Sequence, residues 1–454
     1  MPLLELTEKN LNKNILRLCI PVAIENVLHM SVFISDTIMV GWLGTDAIAA
    51  AGLAGSLFFF ISLVTSSLSY GASSIVARHI GAKEKGHAQL VASQALLIAL
   101  FMGVLISPFL IYFARTIFIL MSAEPKVADI GERYFQIVSG FLVFRLIIFV
   151  SSGILRGAGD TKTPMKVTFI VNCFNILFNW LLIFGIGPFP MLGVAGVGWA
   201  TAISFAIGAG LLLSRLFSGK CVVHLQYDTI KKLHITSIRR IIRISFPATI
   251  DALLTQIGFL FFTKIVAILG TVPLAAHQVA IRIESMSFMP GFALAVSTAT
   301  LVGQSLGTNN VPLALKSMKR SCLFSVCFMC FFAIIFIVFP SQMAKMFNPA
   351  PDVLSLAVVC IMIAAIEQPA LAIYMVFSGG LRGAGDTLSP MLITIAGTLC
   401  LHLPLAYLFG IKLGWGLGGV WLGAAIDWIC RAIAIFILPS VSIYSWTLSP
   451  YSLV

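Results

Sequence analysis

Long apolar runs alternate with short polar joints along almost the whole chain. Runs long enough to cross a hydrocarbon core of ~30 Å, which takes roughly 20 helical residues, fall at residues 16–42, 47–72, 90–113, 131–154, 165–187 and 193–217. They recur at 243–269, 272–299, 317–340, 353–377, 389–411 and 417–442, which predicts twelve transmembrane helices, six in each half. One polar joint is written twice: SGILRGAGDTKTPM at 152–165 returns as SGGLRGAGDTLSPM at 378–391, 226 residues on. The same offset sets Pro21 on Pro247, Gly44 on Gly270, Gly81 on Gly307 and Ala88 on Ala314, so the repeated unit is half the chain. An even number of spans per unit brings the second copy in with the orientation of the first. The expected fold is all-α: two six-helix lobes related by a pseudo-two-fold axis along the membrane normal. The expected domains are an N-terminal lobe at 1–217, a basic cytoplasmic linker at 218–242 and a C-terminal lobe at 243–454.

Composition agrees with this pattern. Of 454 residues 59% are hydrophobic and only 10% charged, with mean hydropathy +1.02, which is outside the range of soluble domains. Cations gather at the N-terminus and on the loops after even-numbered spans: Lys9, Lys13, Arg17, Arg78, Lys83, Lys85, Lys162, Lys166, Lys220, Lys231, Lys232, Arg239, Arg240, Lys316, Lys319 and Arg320. Odd loops carry mainly Arg115, Lys126, Lys345 and Lys412. By the positive-inside rule both termini are cytoplasmic and the protein belongs in the cytoplasmic (plasma) membrane. The net charge of +12 then reflects topology and contact with anionic membrane lipids, and no nucleic-acid partner is expected. The nine cysteines are scattered, and the lone CxxC of Cys327 and Cys330 lacks a second ligand pair, so packing outweighs metal or redox chemistry. The first apolar run is too long, and carries too many carboxylates, for a cleavable signal.

The repeated phrase reads as structural punctuation. In each copy the glycines and Asp-Thr suit a tight turn and a helix N-cap ahead of Pro164 or Pro390. Arg156, Gly157 and Asp160, with Arg382, Gly383 and Asp386, are therefore structural-turn residues. No strand precedes them and no Lys-Ser/Thr ending follows, which excludes a phosphate loop.

Ionisable groups within apolar spans are costly, at roughly 2.5–3.5 kcal/mol each on insertion scales, and usually face a bundle interior or cavity. On the first span Glu25, His29 and Asp36 share one helical face. Asp36 lies deepest and is the candidate cation or proton site, while His29 and Glu25 are candidates for a proton relay and Glu25 lies near the cytoplasmic end. The bland alternative for Asp36 is a structural pair with Arg145. Asn172, Asn175 and Asn179 form a second stripe on the fifth span, able to coordinate a cation or to hold helices together. At the repeat offset Asp36 meets Phe262; with one gap Asn175 meets Cys400 and Asn179 meets Pro404, which places the polar cluster in the first lobe alone. Asp427 and Arg431, four apart, read as a structural pair. Arg282 and Glu284 read as partners of other helices, and Lys264 has no evident role.

The two RGAGDT turns, the stretch AAHQVAIRIESMSFMPGFALAVSTATLVGQSLG and the segment LGVAGVGWATAIS together resemble the multidrug and toxic compound extrusion (MATE) family of antiporters. The resemblance covers essentially the whole chain. It implies a V-shaped pair of lobes around a central cavity, moving an organic substrate outward in exchange for Na⁺ or H⁺. The branch with its essential carboxylate in the first span looks closest. That role carries over to Asp36, and a first-lobe cation site, with Na⁺ as one candidate occupant, to Asn175, Asn179 and Thr201. Some relatives have Asp where this chain has Asn179, which removes a charge here. Another branch has acids in the seventh and tenth spans, where this chain has Thr255, Gln256 and Leu371. Met30, Thr255 and Gln256 are candidate cavity residues.

These observations predict a monomeric multidrug efflux transporter for organic, cationic amphipathic compounds, coupled to H⁺ or Na⁺ and needing no cofactor. The alternative is a flippase for a lipid-linked precursor, whose pyrophosphate would need several cations such as Lys264 and Arg145. An enzyme is not expected, because no metal-spaced cluster or nucleophile motif is present.

Overall fold

The computed structural model describes residues 4–121, 124–219, 221–226, 229 and 232–448. Lys220 and Lys231 of the linker, and residues 449–454 of the second half, lie outside them. Regular structure among the described residues is helical throughout. The first half supplies α1 (Leu11–Gly41), α2 (Thr45–Gly81), α3 (Lys85–Leu120), α4 (Pro125–Gly140), α5 (Leu142–Gly157), α6 (Lys162–Phe184) and α7 (Val194–Phe217). The second supplies α8 (Ile235–Ile268), α9 (Thr271–Gly307), α10 (Val311–Val338), the short α11 (Pro340–Lys345), α12 (Pro351–Ala384), α13 (Leu388–Lys412) and α14 (Gly416–Leu448). Among the described residues 11 helices are long and apolar enough to cross a membrane, and up to 12 if α4 and α5, which meet at 51°, are counted together as one span. The continuous helix expected over 131–154 is thus broken at Phe141. Ser139 and Gly140 precede the break, and a Ser-Gly pair is a common site of sharp kinks.

The helices pack through small residues and turn large ones outward. On α3 the buried positions include Ala88, Ala92, Ala95, Ala99 and Gly103, whereas Phe101, Leu105, Phe109 and Tyr112 are exposed. Lipid tails solvate apolar side chains as well as a protein core does, so close backbone approach rather than hydrophobicity selects the packed face.

The residues fall into two compact units, one of 1–4 and 20–245, the other of 5–19 and 246–454. The expected boundaries move accordingly. Residues 5–19, on the first helix, group with the second unit, and the linker groups with the first. The linker is held there by Gln94 of α3, whose Nε2 donates to the Lys232 carbonyl (2.9 Å) and whose Oε1 accepts from the His234 amide (3.1 Å).

The repeated phrase has the same architecture in both units. Asp160 caps α6 by accepting from the Thr163 amide (3.1 Å) and hydroxyl (2.7 Å), and Asp386 caps α13 from the Ser389 amide (3.0 Å) and hydroxyl (2.6 Å). The turn itself depends on the second glycine, with φ of 86° at Gly159 and 92° at Gly385. The first glycine serves a different purpose from the turn expected of it: Gly157 and Gly383 are still helical. A Cβ there would lie 2.5 Å from the Ser73 carbonyl oxygen or 2.2 Å from that of Ala299, so α5 packs on α2, and α12 on α9, through bare backbone. Arg156 then pairs with Glu25 (3.2 Å), and Arg382 with Asp251 (2.5 Å).

Candidate functional site

In the first unit α1, α6 and α7 bring Asp36, Asn179, Asn175 and Thr201 into one chain of hydrogen bonds. Asn179 Nδ2 donates to Asp36 Oδ1 (2.5 Å) and to Asn175 Oδ1 (3.0 Å), and Asn175 Nδ2 donates to Thr201 Oγ1 (3.4 Å). Asn175 and Asn179 are four apart on α6 and so stack on one face; both are buried. Asn179 Oδ1 is buried and has no hydrogen-bond partner. Tyr134 of α4 borders Thr201 and lies within electrostatic reach of Asp36. Its aromatic type gave no signal in the sequence, because many phenols in a membrane chain only pack.

No described ion pair includes Asp36. Arg145 of α5, the alternative partner, is held elsewhere. Its Nε donates to Ser62 Oγ (2.9 Å), and its guanidinium packs on the rings of Phe58, Phe149 and Phe205 at 4.8–5.0 Å. Three aromatic faces and a hydroxyl satisfy this cation without a carboxylate. The carboxylate and the amide and hydroxyl oxygens of this set offer hard donors with a single negative charge, which suits a proton or a monovalent cation. No group of three or more His, Cys, Asp or Glu residues suited to a metal ion exists among the described residues.

Other candidate residues stand apart from this chain. Asn172 donates to the Leu28 carbonyl (2.7 Å), joining α6 to α1. Glu25 is buried against Arg156 instead of reaching water, and His29 Nε2 lies 3.9 Å from its Oε1. Met30 is exposed on the first unit; on the second, Thr255 donates to the Asp251 carbonyl (2.8 Å) and Gln256 is half-buried.

The second unit holds polar chemistry of its own, built on the Asp427–Arg431 pair expected from the sequence. Asp427 of α14 accepts from Arg431 Nε (2.8 Å) and pairs with His402 Nδ1 of α13 (3.0 Å), while Arg431 Nη2 donates to Thr398 Oγ1 (3.0 Å). The linear comparison of the halves did not bring out His402 and Thr398 as its partners, and α13, which carries them, is not a regular α-helix. It contains π-helical turns at Gly397–His402 and Leu408–Lys412. Pro404 has no N–H for the carbonyl four residues back, and the chain accommodates this by widening. Gly196 abuts the Leu182 carbonyl and Gly419 that of Phe409; Leu182 and Phe409 are thus matched at an offset of 227, against 226 at the turn, although the two glycines themselves are 223 apart. Past the first π turn the counterpart of Asn175 is His402 rather than Cys400, and that of Asn179 is Ala406 rather than Pro404. Phe262, opposite Asp36, packs on His402 with the rings tilted at 38° (4.7 Å between centroids).

Two helical units with membrane-crossing helices and ionisable groups held inside the spans define a polytopic integral membrane protein. The chain belongs to the MatE family, whose model matches residues 21–181 and again 247–408, once per repeat. It is 32% identical to a probable multidrug resistance protein NorM of Thermotoga maritima, over 93% of this chain and 90% of that one. It is 28% identical to the multidrug resistance protein NorM of Vibrio cholerae, over 92% and 93% respectively. Its fold is the two-lobe fold of MATE transporters. A crystal structure of MATE in complex with MaL6 superposes with TM-score 0.90 at 24% identity, covering 97% of this chain and 98% of that one. An outward-facing MATE family transporter of the MOP superfamily superposes with TM-score 0.89 at 24% identity, covering 96% of each chain.

Proposed function

We propose that this protein is a secondary active efflux transporter of the cytoplasmic membrane, with both termini cytoplasmic. It works as a monomer, exporting organic, cationic amphipathic compounds in exchange for H⁺ or Na⁺. The observation that carries this reading is Asp36, an intramembrane carboxylate that accepts from the Asn179 amide and has no counter-ion among the described residues. Such a group is costly unless its charge is used. The names of the relatives, multidrug resistance proteins, supply the substrate class.

The inward cation gains about 2.3 kcal/mol per 100 mV of membrane potential, which is the work available for export. In the charged state Asp36 draws Asn179 Nδ2 and so orders Asn175 and Thr201 behind it. A proton or Na⁺ at the carboxylate cancels that pull, and Asn179 Oδ1, unpartnered in this arrangement, becomes the next oxygen available to the cation. The hydrogen-bonded face of α6 then rearranges against α1, and substrate affinity falls on the outward side. Arg145, enclosed by aromatic rings and bound to Ser62, is poorly placed to meet a pyrophosphate, so lipid-precursor export is not favoured.

The test is dye movement in proteoliposomes under separately imposed Na⁺ and H⁺ gradients. One gradient should drive a cationic dye in the wild type and neither should in Asp36→Asn, with the variant's thermal unfolding unchanged. Undiminished gradient-driven movement in Asp36→Asn would overturn the reading.

A further inference from the structure

Within the first unit the last turns of α2 pack on the first turns of α8: a Cβ on Gly71 would sit 2.9 Å from the Ile241 carbonyl oxygen. Each helix end carries an arginine at this seam. Arg78 is seven residues beyond Gly71, on the same face of α2, and Arg240 adjoins Ile241. Both lie outside the apolar runs at 47–72 and 243–269. Since α2 ends where α8 begins, the two run antiparallel, and side chains that lean toward the N-terminus of their own helix bring Arg78 and Arg240 toward each other. Burial, and after it the charge of Arg240, pull the Arg78 pKa below its usual value.

No ion pair or side-chain hydrogen bond among the described residues satisfies either guanidinium, and Arg78 Nε is buried without a partner. Glu84, the acid of the α2–α3 turn, is bonded instead to His79 (2.8 Å) and lies 3.9 Å from His87. The remaining charges of the turn, Lys83 and Lys85, are exposed cations. Two half-buried arginines without a carboxylate are a costly arrangement unless an anion completes it.

The second unit builds the same seam without charge. At the repeat offset of 226 Arg78 falls on Gln304 and Arg240 on Asn14. Residues 5–19 belong to the second unit, as 235–245 belong to the first. Gln304 and Asn14 are both buried, and Asn14 Nδ2 donates to the Glu5 carbonyl (2.9 Å). The scaffold therefore accepts neutral amides at both positions, and the arginines of the first unit serve something other than packing.

A phosphate group matches them, because guanidinium forks bind its oxygens in pairs. Beside Arg240, α8 turns Arg239, Ile242 and Phe246 outward along one face, with Ile242 48% and Phe246 63% exposed. A cation above two exposed apolar side chains suits a headgroup above an acyl chain. We propose that Arg78 and Arg240 hold the phosphate of one anionic phospholipid headgroup, at a site built in the first unit and lost from the second. This site stands apart from the transport reading and holds or fails without it.

The experiment is thermal unfolding of the purified chain, delipidated in a neutral detergent and titrated separately with phosphatidylglycerol, phosphatidylcholine and inorganic phosphate, with native mass spectrometry to count retained lipid. Phosphatidylglycerol should raise the unfolding temperature of the wild type and stay bound as one molecule, and the other two should do neither. Arg78→Gln and Arg240→Asn, which copy the second unit, should each weaken that response by about tenfold or more, the loss of a charge-assisted hydrogen bond. Lys85→Gln should weaken it distinctly less, and Arg78→Lys, which keeps the charge but not the fork, should fall between. Without lipid, Arg78→Gln and Arg240→Asn should unfold no earlier than the wild type, because a repulsion has been removed. Earlier unfolding with an undiminished response to phosphatidylglycerol would show a structural role and overturn the site. So would equal responses to the two lipids, or an equal loss in Lys85→Gln. Protection by inorganic phosphate equal to that of phosphatidylglycerol would overturn the lipid as occupant.

Discussion

Glu25 and Arg156 in the first unit, and Asp251 and Arg382 in the second, form the same ion pair across the same sequence distance. Three turns further along those two helices the resemblance stops, with Asp36 on α1 and Phe262 on α8. The pair closes each repeated turn onto its first helix and belongs to the scaffold. Residues at the Asp36 level are free to differ because the scaffold does not depend on them. The first unit has one carboxylate hydrogen-bonded to Asn179, and the second has Asp427 paired with an arginine and a histidine. The pair that closes each turn thus recurs at the repeat offset, whereas Asp36 has no counterpart there.

The largest effect that would sharpen this division is in function. Asp36→Asn should abolish gradient-driven export in proteoliposomes with unfolding unchanged, whereas an acid introduced by Phe262→Asp should not restore it. The scaffold charges should behave oppositely. Arg156→Ala and Arg382→Ala each strand a buried carboxylate and should lower stability by about 3–5 kcal/mol in either unit, read as a fall in unfolding temperature; a loss in only one unit would break the symmetry. Next come the packing glycines: Gly157→Ala and Gly383→Ala press a methyl onto backbone and should cost about 1–3 kcal/mol each. Asp160→Ala and Asp386→Ala remove the caps of α6 and α13, at about 1 kcal/mol apiece by the same thermal measurement. Smallest is Asn172→Ala, which loses one interhelical hydrogen bond worth about 0.6 kcal/mol and should leave export intact, unlike Asn179→Ala.

Most of the architecture was legible because the membrane makes it so. Span length follows from bilayer thickness, and the two matched turns follow from needs for a cap, a left-handed residue and a close approach that few residue types meet. Asn175 and Asn179 were legible as one stripe because helical periodicity is local. Asn172 shares that stripe yet bonds to the Leu28 carbonyl, since which neighbour faces a position is not a property of its own helix. The partner of Arg145 was not legible either. Acid, hydroxyl and aromatic faces all satisfy a guanidinium, and the tertiary fold supplied Ser62 and three phenylalanines.

By itself the sequence determined that this chain crosses the membrane in two homologous halves, because apolar length and repetition are carried by residue type and spacing alone. It also determined that Asp36 needs an explanation, since burying a carboxylate in an apolar run is costly in any fold. Only the tertiary structure decided which buried charges are neutralised. Pairing depends on which helices touch, and a π turn in α13 displaces the register by one residue, which no linear comparison of the halves registers. His402 lies beside Phe262 and Asp427, and joins the Asp427–Arg431 pair that the residue order already showed.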